Sequence, residues 1–183
     1  DLFRQILGRD NLLSEFNAFN GEWLLKLLTS NENIRKEKNG IIGAYKLVSG
    51  LLVSSDITWV PLSIAEMIRV AGNVGLKISE SDCARQLQGY KKGAISDDVL
   101  FVGFRGHELF LLPLEVKTGV RPNYSYAVEQ ALELKRYLKE DILGPQTLSG
   151  KLYRGLFIRQ VLMQLEKLRL YNVIKNGKAE ELL

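Results

Sequence analysis

Two β-rich runs, 98–104 and 109–117, flank the polar tetrapeptide Arg105-Gly106-His107-Glu108, and their pairing limits the possible folds of the chain more than any other feature. Both are dense in β-branched, aromatic and aliphatic residues, and a glycine-containing turn between two such runs signals a hairpin. With Gly106 and His107 as a two-residue loop, Arg105 faces Glu108, Phe104 faces Leu109 and Asp98 faces Glu115. Side chains alternate, so Lys117 shares a sheet face with Glu115, while Leu114 and Val116 point to the other. Pro113 keeps a second register open, because a bulge at the proline would shift the pairing by one and substitute Asp97 for Asp98.

Two carboxylates and an ammonium group on one face are hard to explain by packing. The rest of both strands is apolar, and buried charges are costly unless paired or bound to metal. As a site they make chemical sense. A carboxylate pair holds a hard divalent cation that polarises a phosphodiester and acidifies a bound water, and the lysine positions or helps deprotonate that water. The plainer alternative is an ordinary ion pair where the strands leave the core. A bare Glu-x-Lys arises by chance about once in a chain of this length. Glu133-x-Lys135 is a second copy, expected to be a solvated helix face.

Around the hairpin the spacing predicts helices. Apolar residues recur at helical period over about 15–28 (Trp23, Leu24, Leu27, Leu28) and 34–53 (Ile41, Ala44, Tyr45, Val48, Leu51, Leu52), with Asn20-Gly21 and Asn39-Gly40 as breaks or kinks. A short strand is expected over 57–60, then a helix introduced by Pro61 and Ser63 and stopped by Gly72. Residues 73–93 read as a long connection with one helical turn near 82–87. A helix over about 124–142 carries Ala127, Ala131, Leu134 and Leu138 on one stripe and ends at Gly144-Pro145. The last, over about 152–171, turns Phe157, Val161, Leu165 and Leu168 inward. The chain divides into an N-terminal helical region (1–60), a core (61–145) and a C-terminal helix (146–183), forming one compact domain.

Composition narrows the chemistry. One cysteine, Cys83, and one histidine, His107, leave no soft ligand set for zinc and no disulfide framework, so a metal here has to be held by carboxylates, which selects Mg²⁺ or Mn²⁺. No apolar run reaches the length of a membrane span, no secretory leader opens the chain, and a soluble, cytoplasmic protein is expected. The net charge of +4 fits a polyanionic partner and only slightly favours one. No glycine-rich phosphate loop and no serine or cysteine with a plausible histidine base support a small-molecule enzyme. The start at Asp1 and the ending Ala-Glu-Glu-Leu-Leu suggest a piece of a longer polypeptide or, equally, a processed or trimmed chain.

Ser96-Asp97-Asp98-Val99-Leu100-Phe101-Val102, a hairpin, Pro113-Leu114-Glu115-Val116-Lys117 and then a helix together resemble the PD-(D/E)XK nuclease superfamily over about residues 63–138. The resemblance implies an α/β (α+β) fold: a restriction-endonuclease-like core with a small mixed sheet and a β-hairpin flanked by helices, plus additional N- and C-terminal helices. It gives Asp98 and Glu115 the role of Mg²⁺ ligands, and Lys117 the role of activating water. Holliday-junction resolvases and Mrr-type enzymes add a glutamate on the preceding helix and a glutamine on the following one. Glu66 and Gln130 are the matching candidates. Glu66 also completes the capping box Ser63-Ile64-Ala65-Glu66, and Gln130 is equally an exposed boundary residue. Lys91, Lys92, Arg105 and Arg121 lie in sequence near the strand ends as candidate phosphate contacts, each otherwise a solvated charge.

The first and fourth strands of that fold are not evident in the sequence. A second likeness, carried by Phe19-Asn20-Gly21-Glu22-Trp23-Leu24-Leu25, Trp59-Val60-Pro61-Leu62-Ser63 and the hairpin, is to part of the DptH family, large ATPase subunits of phosphorothioation-dependent bacterial restriction systems. The resemblances imply a metal-dependent DNA endonuclease domain working with other subunits of a restriction complex. The alternative is a catalytically silent nuclease-fold domain that binds DNA or holds a complex together.

Overall fold

The computed structural model describes residues 10–64, 99–119 and 123–173. In chain order the elements are α1 (Asp10–Thr29), α2 (Glu32–Leu52), β1 (Thr58–Ser63), β2 (Val99–Arg105), β3 (Glu108–Leu114), α3 (Tyr124–Tyr137), which runs into a π-helical segment (Leu138–Leu143), and α4 (Leu148–Leu170). The architecture is mixed α+β. The three strands are antiparallel in the order β1-β2-β3, so the mixed sheet expected from the sequence is not seen among the described residues.

β2 is the central strand, and its run Val99-Leu100-Phe101-Val102 is buried on both faces, as suits a strand covered from both sides. Val99 and Phe101 pack with Phe16, Phe19 and Trp23 of α1 and Ile41, Ile42 and Tyr45 of α2. Leu100 and Val102 point oppositely, into a cluster with Leu134 and Tyr137 of α3, Leu138, and α4. The expected inward stripe Phe157, Val161, Leu165 and Leu168 is buried there. Full burial of each such side chain contributes roughly 1.5–3 kcal/mol.

The hairpin has the register read from the sequence, Arg105↔Glu108 through Val99↔Leu114, without a slip. Gly106 has φ of 55°, the first central position of a type II′ turn, which suits the twist of the flanking strands. Pro113 introduces no bulge. It stands opposite Leu100 on a strand with only one partner among the described residues, so its missing N–H interrupts no ladder. Pro61 behaves alike. The strand expected over 57–60 runs on to Ser63, with Pro61 opposite Phe101 inside it, and residues 73–93, between which a first strand of the resembled fold was sought, lie outside the described residues. Helix begins at Ile64, and the rest of the expected helix lies outside the described residues.

The two Asn-Gly pairs differ. At Asn20 the backbone leaves the helix (φ −154°, ψ 101°), and Asn20 Oδ1 accepts from the Glu22 N–H at 3.1 Å, capping the second half of α1. The Ala18 carbonyl, whose helical donor that N–H would be, instead accepts from Gln164 Nε2 at 2.9 Å, tying α1 to α4. Asn20 Nδ2 donates to Ser63 Oγ at 2.9 Å, fixing the end of β1. Asn39-Gly40, expected as a break, is continuous helix. There glycine serves close approach, since a Cβ at Gly40 would meet the Thr118 side chain. No described helix is long and apolar enough to cross a membrane.

Candidate functional site

β3 ends its ladder at Leu114, and 115–118 continue without strand pairing. Alternation survives that end. Leu114 and Val116 pack against the cluster of α1 and α2, and Gly40 admits Thr118 from the same side. Glu115 and Lys117 therefore project to the opposite face, toward α3.

There Lys117 Nζ forms a close ion pair with Glu115 Oε1 and donates to Gln130 Oε1 at 2.8 Å. The ammonium also lies 5.6 Å from the ring centre of Tyr126. Glu115 keeps 15% of its side chain exposed and Lys117 26%, enough for both to meet solvent or a ligand. Gln130, expected either as a site residue or as an exposed boundary glutamine, is 4% exposed and turned inward. Glu115 and Gln130 line a cleft with Pro113, Ala131, Leu134 and Ile64. A carboxylate and an amide thus share the lining of this cleft with apolar side chains.

Other sequence candidates fall elsewhere. Asp98, Asp97, Glu66, Lys91, Lys92 and Arg121 lie outside the described residues. The last described hairpin pair is Val99↔Leu114, the position next to Asp98 and Glu115. Arg105 sits at the turn end of β2, some six residues or about 20 Å along the strand from Val99. It bonds Glu108 at 2.9 Å and Asp56 at 3.2 Å, and these two carboxylates, Glu108 foremost, raise its pKa above the usual guanidinium value. Glu133 pairs with Arg136 at 3.1 Å and Lys135 is exposed, which is the solvated helix face expected of the second Glu-x-Lys.

Sequence reasoning did not single out Tyr126. Its signal was the four-residue spacing from Gln130, which places both on one helical face. The donor set is one of hard oxygens, a carboxylate and an amide, and it fits a magnesium-like cation better than zinc. Among the described residues no three His, Cys, Asp or Glu side chains converge, and Glu115 is the carboxylate that lines this cleft. Compared with protein-family models, curated proteins and solved structures, the chain matches none.

Proposed function

We propose that this chain is a Mg²⁺-dependent DNA endonuclease domain of the PD-(D/E)XK type, acting within a bacterial restriction or defence system. The observation that carries the reading is the convergence of Lys117 on Glu115 and Gln130, two residues that line one cleft from a strand end and a facing helix. Among the described residues, a three-stranded antiparallel sheet with α2 before it and α3 after it supports a restriction-endonuclease-like core, with α1 and α4 as additions.

Glu115 and Asp98 would hold the cation, which when bound polarises the scissile phosphodiester and acidifies a coordinated water. Lys117 supplies positive charge where the phosphoryl oxygens gain negative charge, and an N–H to orient the attacking water. Gln130 accepts from Lys117 and fixes where that ammonium stands. The apolar walls Pro113, Ala131 and Leu134 limit water around the charged groups, which strengthens their field.

The test is Mn²⁺ binding by calorimetry on wild type and Glu115→Ala, alongside Mn²⁺-dependent nicking of plasmid DNA. Binding by wild type that disappears in Glu115→Ala, together with nicking, is the expected result. Wild-type protein that binds no Mn²⁺ even with DNA present would sink the reading.

A further inference from the structure

We propose that Tyr126 is a positioning residue that holds the Lys117 ammonium for the reaction, an inference that rests on the nuclease reading of this site. A lysine head group on a flexible four-carbon stem needs fixing before it can favour one transition state. Lys117 has three restraints: Glu115 Oε1, Gln130 Oε1 at 2.8 Å and the Tyr126 ring at 5.6 Å. The first is the least durable, because a divalent cation held by Glu115 would compete with Lys117 for the same carboxylate. Gln130 and Tyr126 then remain, one helical turn apart on the inner face of α3.

The ring differs from the amide in a useful way. It attracts a cation through its negative face without requiring a directed N–H bond, so the ammonium keeps its donors for a phosphodiester oxygen or the attacking water. The first turn that carries the ring is itself fixed, since Asn123 Oδ1 accepts from the Tyr126 N–H at 3.0 Å. Behind the strand, Val116 packs into the core, so the backbone that bears Lys117 is held from the other face.

The test uses ring-current shifts. In labelled protein, the Lys117 ε-methylene signal, assigned with Lys117→Arg, is expected upfield of the other lysines. It should stay there in Tyr126→Phe and move back in two ring-free variants, Tyr126→Leu and Tyr126→Met. With Mn²⁺ and DNA, the ring-free variants should lose about two- to fivefold in kcat with KM unchanged, and Tyr126→Phe should recover it. A wild-type signal at the ordinary lysine position, or one unmoved by loss of the ring, overturns the proposal, as does equal kcat in the Phe and Leu variants. Wild-type protein that binds no metal and cleaves nothing counts against the nuclease reading alone, and the ε-methylene signal then decides the Lys117–Tyr126 pairing by itself.

Discussion

Gln130 Oε1 accepts a 2.8 Å hydrogen bond from Lys117 Nζ, joining the inner face of α3 to the extended chain just past β3. Gln130 is nearly fully buried, whereas Lys117 still reaches solvent, so the bond anchors a partly exposed ammonium to the buried face of the helix.

Replacing Gln130 by leucine should therefore separate stability from activity. The side chain keeps its approximate volume and loses an acceptor, while water can replace part of what Lys117 loses, so stability should fall by about 1 kcal/mol. Cleavage should fall further, by roughly tenfold or more, because the ammonium is no longer fixed. Urea unfolding and nicking rates on the same preparations check this. A lower urea midpoint with an unchanged rate would make Gln130 a packing residue.

Trp59 and Gly103 are directly paired across β1 and β2, and the indole ring lies over the glycine toward Phe110, with ring centroids 6.4 Å apart. A Cβ on Gly103 would come within 2.7 Å of Ile57 Cγ2 and 2.8 Å of that ring, which Ser55 holds through a 3.0 Å hydrogen bond from Trp59 Nε1. Gly103→Ala should cost about 1–3 kcal/mol by overpacking, despite alanine's better backbone entropy. Adding Trp59→Leu should recover part of that loss, since the ring's share of the clash goes while the contact with Ile57 stays. Denaturant midpoints of the two single variants and the double variant measure the coupling, and simple additivity would rule out the ring's part in the clash.

Tyr45 gives the fold an alkaline limit. Burial, with a smaller push from the Glu15 carboxylate and against a lowering bond from Ser49, raises its pKa to about 12. The folded state thus holds the phenol proton more tightly than the unfolded chain, where tyrosine titrates near 10. The stability from this group is fully present below about pH 10 and is lost as pH rises toward 12, amounting to about 2–3 kcal/mol across that window. Tyr45→Phe should flatten that part of the pH–stability curve relative to wild type. Unfolding curves at several pH values, read as a difference between the two proteins, cancel the lysines that titrate in the same range.

Much of this arrangement was legible because local rules agreed. The hairpin register followed from a two-residue loop, and α4 from four apolar residues at helical spacing. Where the sequence misled, long-range contacts decided. Pro61 reads locally as a helix start, yet pairing with Phe101 on the neighbouring strand keeps it in β1. Asn39-Gly40 reads as a break, yet α2 continues and the glycine answers to Thr118, far away in sequence. The same holds at the site. Glu115 and Lys117 were legible from alternation along one strand, but Tyr126 meets Lys117 only through packing of α3 onto the sheet, which period and composition do not encode.

Glu115 and Lys117 should separate metal binding from catalysis when changed singly. Glu115→Gln keeps shape and removes the negative charge, so Mn²⁺ affinity and cleavage should be lost together, the latter by about a hundredfold or more. Lys117→Met removes a cation that competes for the same carboxylate oxygen, and Mn²⁺ should then bind as well or up to about fivefold tighter. Cleavage should still collapse, because the proposed nuclease mechanism sets the ammonium against the phosphoryl group rather than at the metal's attachment. Calorimetric Kd values beside nicking rates make the comparison. Lys117→Met that loses metal affinity to the same degree as Glu115→Gln would mean that the pair is a structural ion pair whose breakage disorders the strand end.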